Sequence, residues 1–455
     1  MESTVTNKLG TAPIGKLLAD LALPSITAQI INMLYNIVDR IYIGHIEDIG
    51  PLALTGVGLT FPIIMIITAF SSLIGMGGSP RASMKLGEKN QPEAEKILGN
   101  CFSLLIVISI ILTVFFFIFS RPLLFLFGAS SETIDYGTSY MNIYVLGTVF
   151  VMISLGMNPF ISAQGFAKIS MLTVTIGAVI NIILDPIFIF LLNMGVPGAA
   201  LATIISQGVS CLWVLKFLTG KRTVLKLKLK FFKFNRHIIS SVLALGLAPF
   251  IMQSTESLLN ICFNTSLQRY GGDLAVGAMT ILSSMMQIYS LPITGLTQGA
   301  QPIISYNYGA KNIPRVRKAF RLLITIAVSY SFSFWLLNMI FPQLLVSIFS
   351  STEELTSITS WSARIYFAGI IIMGVQNSCQ QTFIALGQAK KSIFLALFRK
   401  IILLIPLIFI LPLFIQDKVF AVFLAEPISD IIAATTTGIM FFFFFKKKIL
   451  KKPEM

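Results

Sequence analysis

Long apolar runs, each broken by a short polar or charged stretch, follow one another from Leu17 to Phe445. A helix needs about 20 apolar residues to cross the core of a bilayer. The runs predict roughly twelve membrane-spanning helices, over residues 16–44, 53–78, 94–119, 136–160, 169–192, 197–219, 238–266, 275–300, 316–341, 357–384, 391–415 and 419–445. Several carry too many polar side chains for a face turned to lipid, so those faces must look onto protein or water. The expected fold class is all-α integral membrane.

The polar interruptions are themselves patterned. Gly77, Pro80, Ser83, Gly87, Lys89, Asn90 and Pro92 return 222 positions later as Gly299, Pro302, Ser305, Gly309, Lys311, Asn312 and Pro314. The same register pairs Tyr144 with Tyr366, and Ala163, Gly165, Ala167, Lys168 and Ser170 with Ala385, Gly387, Ala389, Lys390 and Ser392. A six-helix unit has been written twice. Because six is even, the second copy enters the membrane in the same orientation as the first, and two pseudo-symmetric six-helix bundles are related by an axis near the membrane normal. The expected organisation is an N-terminal tail over 1–15, a first lobe over 16–219, a basic linker over 220–237, a second lobe over 238–445 and a basic tail over 446–455.

Composition agrees: 55% of residues are hydrophobic and only 12% charged. The formal charge of +15 invites a nucleic-acid partner, but the distribution of bases excludes it. Lys and Arg crowd alternate loops, around Arg81 to Lys89, Lys221 to Arg236, Lys311 to Lys318 and beyond Phe445, whereas the other loops hold Glu47, Asp48, Glu132, Asp135, Glu353 and Glu354. By the positive-inside rule both termini are cytoplasmic, in a multi-pass protein of the cell membrane. The first apolar run lacks a small-residue cleavage pattern, so no removable leader is expected. The linker alternates Lys with Leu and Phe; it can serve as topology determinant and connection, or lie on anionic lipid. Cys101, Cys211, Cys262 and Cys379 are scattered singly and are expected to be packed thiols.

Polar residues at bilayer depth carry the chemistry. On the first span Gln29, Asn32, Asn36 and Asp39 fall at spacings of three, four and three, along one helical face. An Asp at that depth costs about 2.5–3.5 kcal/mol on insertion scales, so one that is retained marks an ion or proton pathway; alternatively, Asp39 sits near the interface and pairs with Arg40. On the fifth span Asn181 and Asp185 are four apart, ahead of Pro186, and the sixth adds Thr203. Two carboxylates, an amide oxygen and a hydroxyl make an all-oxygen set suited to sodium or, with one carboxyl neutralised, to a proton.

The second half has its own polar set: Gln253, Glu256, Asn260 and Asn264 on the seventh span, and Glu426 and Asp430 on the last. Glu426, just ahead of Pro427, can equally be a helix-start residue. Gln287, Gln376, Asn377, Gln380 and Gln381 add neutral hydrogen-bonding groups. Met152, Met157, Met252, Met285 and Met286 offer soft surface for flat cationic guests, or ordinary packing.

The segment Pro24-x4-Gln29-x6-Asn36-x2-Asp39-Arg-Ile-Tyr-Ile-Gly44, the Asn181-x3-Asp185-Pro186 element, the duplicated glycine loops and the Pro427-Ile-Ser-Asp430 end together resemble the multidrug and toxic compound extrusion (MATE) family, most nearly its MepA-like bacterial branch. The resemblance spans nearly the whole chain. It implies twelve helices in two lobes, alternating access, and export of amphipathic, often cationic small-molecule drugs in exchange for sodium or protons, without a bound cofactor. It carries the cation-coupling role to Asp39, Asn181, Asp185 and Thr203, and relates Glu256 to an acid on the seventh helix of many members. Acids in both halves leave the coupling lobe and the ion open, and a monomer is expected.

A flippase for lipid-linked sugars, from the same superfamily, is the competing transporter. It would want Arg and Lys in the lumen to hold diphosphate, and only Arg399 and Lys400 encourage it. An intramembrane enzyme lacks its inventory: only His45 and His237 occur, with no HExxH and no GxSxG motif.

Overall fold

The computed structural model describes residues 8–349 and 352–447; within them the chain is helical, with no strand. The first few residues and the basic tail from 448 onward lie outside this range. In hydrocarbon every backbone amide must be satisfied within its own segment, and helices do this without partners.

The helices are α1 (Ile14–Gly44), α2 (Gly50–Gly87), α3 (Gln91–Leu126), α4 (Ile134–Leu146 with Thr148–Ala163), α5 (Ala167–Leu191) and α6 (Gly195–Thr219). After the linker, Arg236–Gly309 runs for 74 residues. At 1.5 Å per residue that is about 110 Å, far more than one bilayer core. It is two spans, α7 and α8, parted at Gly272, where φ of 63° suits a residue without a Cβ. α9 (Ile313–Ile340), α10 (Glu353–Tyr366 with Ile370–Ala385), α11 (Ala389–Phe414) and α12 (Lys418–Phe445) follow. Among the described residues nine helices are long and apolar enough to cross, the bent pairs α4 and α10 raise this to eleven, and division of the longest gives twelve, in the predicted order.

The sequence repeat reappears in the geometry. α4 bends by 59° between Leu146 and Thr148, α10 by 51° between Tyr366 and Ile370. Ser83 Oγ donates to the Ala163 carbonyl at 3.3 Å, and Ser305 Oγ to the Ala385 carbonyl at 2.8 Å. Asn158 reaches the Ser170 carbonyl at 3.1 Å, and Gln380 the Ser392 carbonyl at 2.9 Å. Each member of these pairs stands 222 positions from its counterpart, so the duplicated residues perform the same local task twice.

Two buried apolar cores result. One gathers side chains from Ile43 to Val242. The other runs from Leu259 to Phe444 and includes Leu9, Ile14, Leu17, Leu18, Leu21 and Ala22. Helix α1 therefore begins packed with the second half and ends, at Ile43, packed with the first. Arg315 fixes that beginning: its guanidinium donates to the carbonyls of Leu9 at 3.1 Å and Ala12 at 2.7 Å, and to Asn307 Oδ1 at 3.1 Å.

The halves touch at the end that carries the basic loops. A Cβ on Gly246 would strike the Leu73 carbonyl, one on Gly87 the Tyr306 carbonyl, and one on Gly309 the Met84 carbonyl. Small residues let helix backbones meet closely in membranes. The contact layer ends in two amide bridges, Gln29 to Gln298 at 3.2 Å and Gln253 to Thr68 at 3.0 Å, beside the edge-on rings of Phe70 and Phe250, 5.0 Å apart.

The linker is not a loose strap. Buried Glu95 on α3 takes Lys228 at 2.5 Å and the Lys226 amide at 3.3 Å, while the Gln164 side-chain carbonyl accepts from Thr223, Val224 and Leu225 at 2.8–2.9 Å. Asn100 receives the Asn235 amide at 2.7 Å. Buried polar groups with such partners hold a loop rigidly against its lobe.

Candidate functional site

In the first half, α5 turns Asn181 and Asp185 to one side because they are one helical turn apart. Asn181 Nδ2 donates to Asp185 Oδ1 at 3.1 Å, and both residues are buried, Asp185 completely. Beyond Asp185, Pro186 lacks an amide hydrogen, and the helix passes into a π-helical turn over Ile187–Leu191. Asp39 on α1 lies near enough to Asp185 for the two carboxyls to interact. Asp39 Oδ1 and Asp185 Oδ2 are buried and have no hydrogen-bond partner. Asp39 makes no ion pair with Arg40, whose guanidinium lies over the Phe61 ring, 5.5 Å from its centre, although its charge still reaches the carboxyl.

Thr203 on α6 lies beside Tyr140, and the Thr203 hydroxyl donates to the Ala199 carbonyl of its own helix at 3.0 Å. Tyr35 and Tyr140 both lie close enough to Asp39 to feel its charge. The sequence reasoning missed these phenols, although Tyr35 sits four residues before Asp39, on the same face. Two carboxylates about 4 Å apart would repel by about 4 kcal/mol at an effective dielectric near 20. One proton or one small cation relieves that repulsion, and the amide, hydroxyl and phenol oxygens around the pair suit a hard cation. Among the described residues no group of three or more His, Cys, Asp or Glu side chains forms a metal site.

The other polar residues of the first stripe go elsewhere. Gln29 belongs to the inter-lobe bridge. Asn32 and Asn36 are exposed, and Asn36 donates to the Asn32 carbonyl of its own helix at 2.6 Å.

In the second half the acids have bases. Arg399 on α11 meets Asp430 at 2.7 Å and Glu426 at 3.2 Å. Lys400, 5% exposed, pairs with Glu256 and also donates to the Met252 carbonyl at 3.0 Å. Arg399 and Lys400 stand in a π-helical turn, Phe398–Leu404, where the helix takes in an extra residue per turn. Glu426 and Asp430 are buried in the interior of α12, so Glu426 is not a helix-start residue. The two bases singled out as encouragement for a diphosphate ligand are already committed to carboxylates.

Glu256 itself is 59% exposed at its side chain. Asn260 is exposed and returns to the Glu256 carbonyl at 3.0 Å; Gln287 is exposed as well. Gln376 and Gln380 are buried, each with an unpartnered side-chain oxygen, and Gln381 bonds Gln301 at 3.1 Å. Met152, Met157 and Met285 are buried in the two cores: packing, not guest surface. The four cysteines are free and buried, as expected.

Two six-helix lobes of membrane-length apolar helices, joined at the end that carries the basic loops, with buried acids inside those helices, fit a multi-pass membrane transporter. The MatE family model matches residues 24–187 and 249–410, and the chain belongs to that family. Multidrug export protein MepA of Staphylococcus haemolyticus (strain JCSC1435) is 26% identical over 399 residues, covering 88% of this chain and 87% of that one. MepA of Staphylococcus aureus (strain N315) is 26% identical over 406 residues, covering 88% of each. A crystal structure of MATE in the bent conformation superposes with a TM-score of 0.91 at 23% identity, over 98% of this chain and 99% of the other, which establishes the shared fold.

Proposed function

We propose that the protein is a secondary active multidrug exporter that exchanges amphipathic, often cationic compounds for sodium or protons by alternating access. The observation that carries this reading is the Asp39–Asp185 pair, whose inward oxygens are buried without a hydrogen-bond partner and which makes no ion pair among the described residues, the Arg40 charge acting on Asp39 only from a distance. Its charge is shared between whatever cations arrive: a small inorganic ion or proton from one side, an organic guest from the other. Occupation by one weakens the hold on the other, and competition for one negative site is exchange.

The positive-inside rule sets the basic loops, and with them both termini, on the cytoplasmic side of the cell membrane. The inter-lobe contact then closes the cytoplasmic end, and this conformation faces outward. Asp39 lies ten residues beyond Gln29 along α1, about 15 Å past the closed layer. The expected units are the lobes over 16–219 and 238–445, acting as a monomer. A membrane potential contributes about 2.3 kcal/mol per charge per 100 mV, enough to drive uphill export. The relatives named for multidrug export favour drugs as cargo over lipid-linked sugars.

The test is ethidium efflux from proteoliposomes under an imposed sodium gradient, then an imposed pH gradient. One of the two should accelerate efflux; a flat response to both would exclude coupled exchange.

A further inference from the structure

The two bases on α11 touch different neighbours. Arg399 is absorbed by Glu426 and Asp430 of α12. Lys400, the next residue, turns to α7, where its ammonium is held between the Glu256 carboxylate and the Met252 carbonyl. The lysine is buried while the glutamate is open. That asymmetry matters, because a buried ammonium brought to an accessible carboxylate fills the coordination place a dissolved cation would otherwise take.

The surroundings have the character of a cation site. Met252, Gln376, Asn377, Gln380, Arg399 and Lys400 line a cavity of about 10 Å³, room for about one water. The side-chain oxygens of Gln376 and Gln380 are buried without a hydrogen-bond partner. Carboxylate, backbone carbonyl and amide oxygens are the ligands a hard monovalent cation uses. Here a tethered ammonium already holds the carboxylate and the backbone carbonyl, beside the amide-lined cavity.

We propose that Lys400 is a built-in counter-cation that occupies the Glu256 site and keeps free monovalent inorganic cations out of the second lobe. This rests on the antiporter reading only for its meaning, that ion coupling is left to the other lobe; the occupancy itself is a matter of equilibrium binding. Lysine suits the role because its charge sits on a long flexible stem and its ammonium is a compact point charge.

The test uses the purified full-length protein with Asp39→Asn and Asp185→Asn, so that the first lobe cannot answer to sodium. Its thermal midpoint is compared in sodium chloride and in N-methylglucamine chloride at equal ionic strength. With Lys400 present no sodium-specific rise is expected. Lys400→Met should create one of about 2 °C or more that grows with sodium concentration, and adding Glu256→Gln should remove it. Lys400→Arg should behave as the parent; Lys400→Gln replaces the methionine variant if that one cannot be recovered. A sodium response in the Lys400 parent that Glu256→Gln abolishes would overturn the proposal, as would the lack of one in both neutral variants. Failure of gradient-driven efflux in the wild type would sink the antiport reading and leave this binding result standing.

Discussion

The two halves derive from one repeated unit, yet they treat charge at membrane depth in opposite ways. In the first, Asp39 and Asp185 lie near each other with an amide, a hydroxyl and phenols around them and no ion pair among the described residues, Arg40 being felt only from a distance. In the second, Glu256, Glu426 and Asp430 are matched by Lys400 and Arg399. In the repeat register Asn181 and Asp185 correspond to Leu403 and Leu407, while Arg399 and Lys400 correspond to Gly177 and Ala178. One copy of the helix carries the acid; the other carries bases against acids on its neighbours. An acidic residue in a membrane is thus not a cation site by virtue of its own charge. What decides is whether the protein has already supplied the opposite one.

Removing the internal base should do the most damage to this contrast. Arg399→Ala leaves two buried carboxylates facing each other and should cost about 3–5 kcal/mol of stability, read as a large drop in thermal midpoint. Adding Glu426→Gln and Asp430→Asn should recover most of the loss. No recovery would mean that Arg399 contributes through packing.

Neutralising the bare pair should spare stability and remove function. Asp39→Asn or Asp185→Asn should reduce dye efflux from a drug-sensitive host about 100-fold, equivalent to about 2.7 kcal/mol, at unchanged protein abundance. Full activity in either variant would take that acid out of the mechanism.

Smaller effects probe the scaffold. Glu95→Gln exchanges a buried carboxylate for an amide beside Lys228, and should cost about 1–3 kcal/mol and speed proteolysis within 220–235. Lys85→Ala breaks an exposed pair with Glu88 at 2.7 Å and should shift stability by less than about 1 kcal/mol. An equal effect of both would deny that the linker is bolted to its lobe.

Much of this was legible in the sequence. Helix number and order followed from apolar run length, and the duplication from residue spacing; the paired bends of α4 and α10 had no sequence signal read for them. Asp39, Asn181 and Asp185 emerged from helical periodicity, which fixes a face. Periodicity does not fix the partner across the gap. Lys400 meets Glu256 from 144 residues away, and no local signal links them. For the same reason Tyr140 was missed, while Asn32 and Asn36, set on the same face by periodicity, are exposed and make no hydrogen bond with Asp185. The linker, read as topology determinant and connection or as a lipid contact, is held by Glu95 and Gln164, which the sequence reading did not single out.

The central claim is that inorganic and organic cations compete at Asp39 and Asp185. It is tested most directly by titrating the purified protein with a fluorescent cationic dye across sodium concentration and, separately, across pH. In the wild type and in Glu256→Gln, raising sodium or lowering pH should weaken dye binding at least tenfold; in the Asp39→Asn/Asp185→Asn double variant the affinity should stay flat. Competition that survives in the double variant, or disappears in Glu256→Gln, would contradict the account.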